Sequence, residues 1–155
     1  MVSKVIAFAV VLVATLMACG QPQSQQTSSA PASLNCTPNN CKVAVIVSGD
    51  CSNAANITLN PDQLPVPKIH HHIKIDWEIQ TAGFKWVPAP GGITFTTPPL
   101  PPSGEFTNPH DNGAKYDLTD ENTATSSTPY KYGVHLQRSN GTLCAVKDPF
   151  IVNGD

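Results

Sequence analysis

Length, composition and charge already exclude several classes of protein. The chain has 155 residues with 9 basic and 11 acidic side chains, and its formal net charge at pH 7 is −2. That length suits a single domain, and lysines that are scattered rather than clustered argue against a nucleic-acid partner. The sequence carries no glycine-rich phosphate loop, zinc-protease motif or nucleophile elbow, so we expect no enzymatic activity.

The amino-terminal residues have the organisation of a bacterial export signal. Lys4 is the only charged residue before Cys19, and residues 5–17 are apolar apart from one threonine. This run is too short to span a bilayer, which requires about 20 apolar residues. Residues 16–19, with the sequence Leu-Met-Ala-Cys, resemble the cleavage box of bacterial lipoproteins. An ordinary cleaved signal or a signal anchor is the alternative.

The resemblance to lipoproteins implies a lipid anchor. In that family the cysteine thiol is acylated, the signal is cut before the cysteine, and the new amino terminus is acylated too, for example with palmitate. Several acyl chains hold a protein stably at a bilayer, whereas one chain binds only marginally. Gly20 after Cys19 favours the outer membrane of the bacterial cell envelope, facing the periplasm or the cell surface. We therefore expect residues 1–18 to be a signal peptide, residues 19–34 a lipidated cysteine with an uncharged flexible linker, and residues 35–155 the folded domain.

The folded domain has the sequence pattern of an all-β protein. Short apolar and alternating runs are separated by proline, glycine and asparagine, without a long stretch at helical spacing. The clearest run, residues 69–79, alternates strictly, which predicts that Ile69 and His71 face inward and that His70 and His72 face outward. About seven such strands predict one antiparallel β-sandwich. Its predicted core comprises Val45, Ile73, Ile75, Trp77, Phe95, Tyr132, Val134 and Leu136.

The stretch 96–129 interrupts this pattern because it is rich in proline and polar residues. Only Phe106 and Tyr116 are expected to anchor it in a core, so we predict either a packed loop with one irregular strand near Phe106 or a disordered segment. Since long loops in compact domains are often functional, we place a binding surface at Phe106, His110 and Tyr116. The acidic residues of the stretch, Asp120 among them, lack the spacing of a calcium loop and predict a solvated acidic surface.

The cysteines indicate an oxidising compartment. Once Cys19 is lipidated, Cys36, Cys41, Cys51 and Cys144 remain, an even number that suits disulfide bonds. Cys41 and Cys51 flank a predicted strand and are therefore too far apart to pair, whereas Cys36 and Cys41 enclose a turn. We predict the bonds Cys36–Cys41 and Cys51–Cys144, with free or metal-binding thiols as the alternative.

Two sandwich families provide points of comparison. Trp77 in a mid-domain strand and the run Tyr130-Lys131-Tyr132 give residues 42–153 a resemblance to immunoglobulin-like domains, which implies a fold and no activity. The inter-sheet cysteine of that family, two residues after the tyrosine, is absent. A cupredoxin would hold copper through two histidines, a cysteine and a weak axial ligand. Cys144 is followed by Ala-Val-Lys-Asp, without the histidine and methionine of that motif, so we expect no blue-copper site.

The adjacent histidines are the clearest candidate for a metal site. In a strand, the Cα atoms of His70 and His72 would lie about 6.6 Å apart on one face, and two imidazoles at that separation can share Zn²⁺ or Cu²⁺. His135 or His110 is the candidate third ligand. A solvated surface or a recognition patch is the alternative, and no other cofactor is expected.

These features together predict a membrane-anchored envelope lipoprotein. We expect it to act as a non-catalytic binding or structural module for an unidentified protein or glycan. A periplasmic zinc- or copper-binding protein that uses surface histidines is the alternative.

Overall fold

The computed structural model of the chain describes residues 35–124 and 127–154. The predicted signal peptide (residues 1–18) and the predicted lipidated cysteine and linker (residues 19–34) lie outside the described residues. In the described part, no helix is long and apolar enough to cross a membrane.

Short strands and one turn of 3₁₀ helix make up the regular structure of these residues. The helix spans Ala54–Asn56. The strands are β1 (Cys36–Thr37), β2 (Asn40–Val47), β3 (Ile57–Asn60), β4 (Gln63–Val66), β5 (Ile73–Ile79), β6 (Phe84–Trp86), β7 (Ile93–Thr94), β8 (Phe106–Asp111), β9 (Lys115–Asp120), β10 (Thr128–Lys131), β11 (Gly133–Val134), β12 (Leu136–Arg138) and β13 (Phe150–Asn153).

The largest sheet, called the main sheet below, has the strand order β1-β2-β5-β9-β8, and β3 also pairs with β2. Strands β2 and β5 are parallel, with Val43 opposite Trp77, whereas β9 runs antiparallel to both β5 and β8. The burial of β5 alternates from Ile73 onward, so that one face of the sheet is apolar and the other polar.

Three smaller sheets, β10-β13-β4, β11-β7 and β12-β6, complete the fold. The indole Nε1 of Trp77 on β5 donates a hydrogen bond of 3.0 Å to the hydroxyl of Tyr132, between β10 and β11. Both side chains are buried. One continuous apolar core therefore joins the main sheet to the smaller sheets.

The all-β prediction is confirmed, but the sheets are mixed rather than purely antiparallel. Besides β2 and β5, strands β4 and β13 are parallel. After β2 and β3 in the main sheet, the chain enters another sheet as β4 and returns as β5. This excursion supplies the crossover that a parallel pair requires. Alternation of residues predicts the face of each side chain but not the neighbour or direction of a strand, and the sequence therefore did not reveal the crossover.

Within residues 96–129, the irregular strand predicted near Phe106 is confirmed as β8, whose register shifts between Thr107 and His110, whereas the prediction of a loop after it is wrong. Strand β8 forms an edge of the main sheet, and β9 lies inside the sheet between β5 and β8. Tyr116, Leu118 and Asp120 on β9 are all buried. The period-two pattern is present there, but a carboxylate occupies its third inward position and conceals it.

The alternating strand begins later than predicted. Strand β5 starts at Ile73, and Ile69, expected to face inward, is 82% exposed. His71, also expected inward, is exposed. His72 has a φ of 55°, a left-handed conformation that extended strands do not contain, so the three histidines lie in the turn before the strand.

Most of the predicted core is correct, and so is the disulfide pairing. All eight predicted core residues are buried except Phe95, which is partly buried. Cys36 is bonded to Cys41 across β1 and β2, and Cys51 to Cys144 across 93 residues of chain. Three residues outside the predicted core are also buried: Trp86, Leu64 and Ile151.

Candidate functional site

The polar face of the main sheet carries alternating charges. On β5 and β9 the residues between the buried ones turn outward, as the pleat of a strand requires. The edge strand β8 adds one histidine, opposite Asp117. We call this surface the charged face and define it by Lys74, Asp76, Glu78, His110, Lys115 and Asp117.

Ion pairs on the charged face run mostly across neighbouring strands. Nζ of Lys74 lies 3.0 Å from Oδ1 of Asp76 and 3.4 Å from Oδ1 of Asp117. Nζ of Lys115 lies 3.4 Å from Oε1 of Glu78. The hydrogen bond from Lys74 to Asp76 raises the pKa of the Lys74 ammonium group. Exposed pairs of this kind contribute little to stability, so a charged partner could replace them at small cost.

A shallow groove crosses the charged face towards β2. Lys42, Ala44, Asp76, Glu78 and Lys115 are among the residues that line it. Asp76, one of these lining residues, accepts at Oδ2 a hydrogen bond of 2.6 Å from Nδ2 of Asn40. The other amide atom, Oδ1 of Asn40, is buried without a hydrogen-bond partner, which leaves an unsatisfied acceptor at the border of the charged face.

The structure does not bring the predicted metal ligands together. Nδ1 of His72 contacts Oε2 of Glu121, while the half-buried His135 ring lies with Nε2 2.8 Å from Oγ1 of Thr94 on another sheet. Burial lowers the pKa of His135. His70 is half-buried in the turn before β5. Among the residues that the structure describes, no three His, Cys, Asp or Glu side chains are grouped as they would be around a metal ion.

The three residues of the predicted binding surface have different environments. Tyr116 is fully buried, with its ring centroid 5.3 Å from that of Trp86, so its place in a binding surface is wrong. Phe106 is half-buried and stacks on Phe95, with 4.3 Å between the ring centroids. His110 is exposed and belongs to the charged face, where its Nδ1 lies 3.5 Å from Oδ1 of Asp117.

A second polar site lies inside the protein, at the end of the main sheet. We call Glu105, Asp120, Asn122 and Asn153 the buried polar cluster, since each is at most 1% exposed. Nδ2 of Asn153 donates hydrogen bonds of 2.7 Å to Glu105 Oε1 and 2.8 Å to Asp120 Oδ1. The amide of Asn122 donates to the carbonyls of Pro67 and His70, and its Oδ1 accepts from the backbone N–H of Gly154.

The buried polar cluster was not predicted from the sequence, although one signal for it is present. Asp120 has the same strand parity as Tyr116 and Leu118, which places it on the inward face. We instead interpreted it as part of a solvated acidic surface. Glu105 and Asn153 carry no comparable signal, because their burial depends on how separate sheets meet.

Fold and sites together describe an all-β domain with two disulfide bonds, a charged sheet face and a buried polar cluster. The sequence matches no protein-family model, and no curated protein is detectably similar to it.

Proposed function

We propose that the protein is a lipid-anchored lipoprotein of the bacterial cell envelope and acts as a non-catalytic binding module. Its contact surface is the charged face of the main sheet. The observation that carries this proposal is the charge pattern itself, in which lysines and carboxylates alternate on two neighbouring strands while their side chains stay at least partly exposed. The lipoprotein-like box at residues 16–19 supports the anchor, and the disulfide bonds support an oxidising location.

We further propose that the sheets form a two-layer sandwich of the immunoglobulin-like kind. The main sheet would be one layer and the three smaller sheets the other. The hydrogen bond between Trp77 and Tyr132 supports this arrangement, as does the edge contact between Phe106 on β8 and Tyr130 on β10. Each contact joins the main sheet to a segment of the smaller sheets.

The proposed partner is a protein with charges of both signs. Mixed charges at an interface improve specificity and the association rate, and their effect is screened by salt. The charged face as defined presents no tryptophan, tyrosine or phenylalanine on which a sugar ring would stack, since its members are lysines, carboxylates and one histidine. A glycan partner is therefore the less favoured form of the proposal. Zinc or copper binding through surface histidines remains a hypothesis that no described geometry favours.

Charge reversal on the charged face tests the proposal. We would replace Lys74→Glu and Lys115→Glu in the full-length protein and measure chemical cross-linking to envelope proteins of the host. The matched control is Lys131→Glu with Lys147→Glu, the same change of charge outside the main sheet, at lysines that pair with Asp148 and Asp62.

We expect one discrete adduct that weakens at least tenfold in the first variant, weakens with added salt and persists in the control. An adduct that both variants reduce equally would contradict the charged face as the contact surface. An adduct to glycan that is insensitive to salt would contradict a charged protein partner.

A further inference from the structure

The buried polar cluster contains two oxygen atoms that no hydrogen bond reaches. They are Oδ2 of Asp120 and Oδ1 of Asn153. The two side chains are already hydrogen-bonded to each other, because Asn153 Nδ2 donates to Asp120 Oδ1 at 2.8 Å. Both side chains are 0% exposed. An unpartnered buried acceptor is costly, and two on one hydrogen-bonded pair require an explanation.

Asn153 cannot remove the conflict by itself. An amide has two donor hydrogens, and both are used, one on Asp120 and the other on Oε1 of Glu105 at 2.7 Å. Turning the amide over would direct its oxygen at two carboxylates and lose both bonds. What the pair lacks is therefore a donor for these two oxygens.

We propose that this donor is a proton on Asp120: the folded protein holds Asp120 as a neutral carboxylic acid, whose Oδ2–H donates to Asn153 Oδ1. The carboxylic acid and the amide then form two reciprocal hydrogen bonds, one in each direction. The pair connects the end of β9 in the main sheet to the end of β13 in another sheet. This contact between the two sheets therefore depends on the proton of Asp120.

The surroundings of Asp120 favour the neutral form. Glu105 precedes β8 and Glu121 follows β9. Burial, the charge of Glu105 and the charge of Asp120 raise the pKa of the Tyr130 phenol on β10, so these ionisable neighbours of Asp120 are all acidic. His72 and His71 both contact Glu121, His72 at its carboxylate and His71 at its backbone carbonyl.

Burial is the main cause that raises the pKa of Asp120, to about 7. The hydrogen bonds from the Asn122 backbone N–H and from Asn153 oppose the increase, and the charges of Glu105 and Glu121 add to it. The cluster also ties down neighbouring backbone, because Asn122 holds the carbonyls of Pro67 and His70. Loss of the proton would remove the bond that Asp120 donates to Asn153 and so loosen the carboxyl end of β13.

The proton makes stability depend on pH in one direction. An acid whose pKa is higher in the folded state than in the unfolded state stabilises the fold at low pH. The contribution is complete below the unfolded value of 3.8 and is lost as pH rises towards about 7. A shift of about three units corresponds to an increase of about a thousandfold in the unfolding equilibrium constant over that interval. Above about pH 7, Asp120 causes little further change in the unfolding equilibrium constant.

The test is a pH titration of the full-length protein. The carboxyl carbon of Asp120 is followed by NMR from pH 3 to 9, and unfolding by urea is measured across the same range for the wild type and for Asp120→Asn. An amide at position 120 can make both reciprocal bonds without a proton. Asp117→Asn, on the same strand but on the charged face, is the control.

We expect the Asp120 carbon to titrate near pH 7. The increase of about a thousandfold in the unfolding equilibrium constant should be absent in Asp120→Asn and retained in Asp117→Asn. Titration near pH 4 would overturn the proposal, as would a pH dependence of stability that Asp120→Asn leaves unchanged. If Asp120→Asn fails to fold, the NMR titration of the wild type alone decides between the two outcomes. Titration near pH 4 would then mean that a water molecule, and not Asp120, supplies the donor.

Discussion

Trp77 makes the contacts that best explain why the main sheet stays attached to the rest of the protein. Its ring meets those of Tyr116 and Tyr132 edge-on, with centroid distances of 6.4 and 5.7 Å. Its Nε1 donates to the hydroxyl of Tyr132, which satisfies the one polar atom of a fully buried indole. Size, geometry and hydrogen bonding therefore favour tryptophan at this position.

Truncation of this side chain should be among the most destabilising single changes in the domain. We expect Trp77→Ala to reduce the free energy of unfolding by about 3 to 5 kcal/mol, because it leaves a cavity that the strand cannot fill. Tyr132→Phe keeps the ring but removes the acceptor, and should lose about 1 to 3 kcal/mol. Urea unfolding monitored by circular dichroism measures both. A loss below 1 kcal/mol for Trp77→Ala would mean that this contact is not central to the core.

At the scale of single residues, the sequence predicted apolar burial well and polar burial poorly. Ile73, Ile75 and Trp77 follow from alternation alone, because a strand with one wet face must bury every second residue. Asp120 follows the same alternation, but its carboxylate suggested a solvated position. Its burial is acceptable because it accepts hydrogen bonds from the backbone N–H of Asn122 and from the side chain of Asn153, on a strand 33 residues away. Local sequence does not reveal the second of these partners.

At the scale of elements, strands with a clear hydrophobic period were predicted and those with a mixed one were not. Strand β5 was recognised, although it starts at Ile73 rather than Ile69. Strand β9 was missed, since its buried positions hold a tyrosine, a leucine and an aspartate. The location of the predicted binding surface changes as a consequence. Of its three predicted residues, only His110 faces outward beside Asp117.

The two disulfide bonds offer a test of how the elements are connected. Cys51 and Cys144 close a loop of 93 residues, whereas Cys36 and Cys41 are separated by 5. In the chain-entropy model the long loop contributes about 4 to 5 kcal/mol and the short one about 2 kcal/mol. We therefore expect Cys51→Ala with Cys144→Ala to lower the urea midpoint about twice as far as Cys36→Ala with Cys41→Ala. A larger effect of the short loop would show that β1 stabilises the fold by more than its loop length predicts.

At the scale of the whole molecule, composition predicted the class of fold but not its connectivity. Regularly spaced turn residues indicated an all-β domain, and the structure confirms it. The parallel neighbours β2 and β5 depend on the excursion through β4, a long-range choice that short windows of sequence do not encode. The charged face follows from the alternation of residues on β5 and β9 once those strands are known to be neighbours. The structure was needed to show that they are.

The account of function depends on where this face is displayed. If the chain is anchored at Cys19, the uncharged residues 21–33 separate the lipid from the domain and let the charged face meet envelope partners. If it is not anchored, the same face would be presented in free solution, and the proposal of an envelope module would lose its main argument. The state of Cys19 is therefore the central question.

Mass spectrometry of the mature protein extracted from bacterial membranes answers it most directly. The account predicts an amino-terminal peptide that begins at Cys19 and carries the mass of acyl chains, and it predicts that Cys19→Ala releases the protein from the membrane fraction. A soluble, unmodified protein cleaved at another residue, or an intact peptide that still contains Lys4, would contradict it.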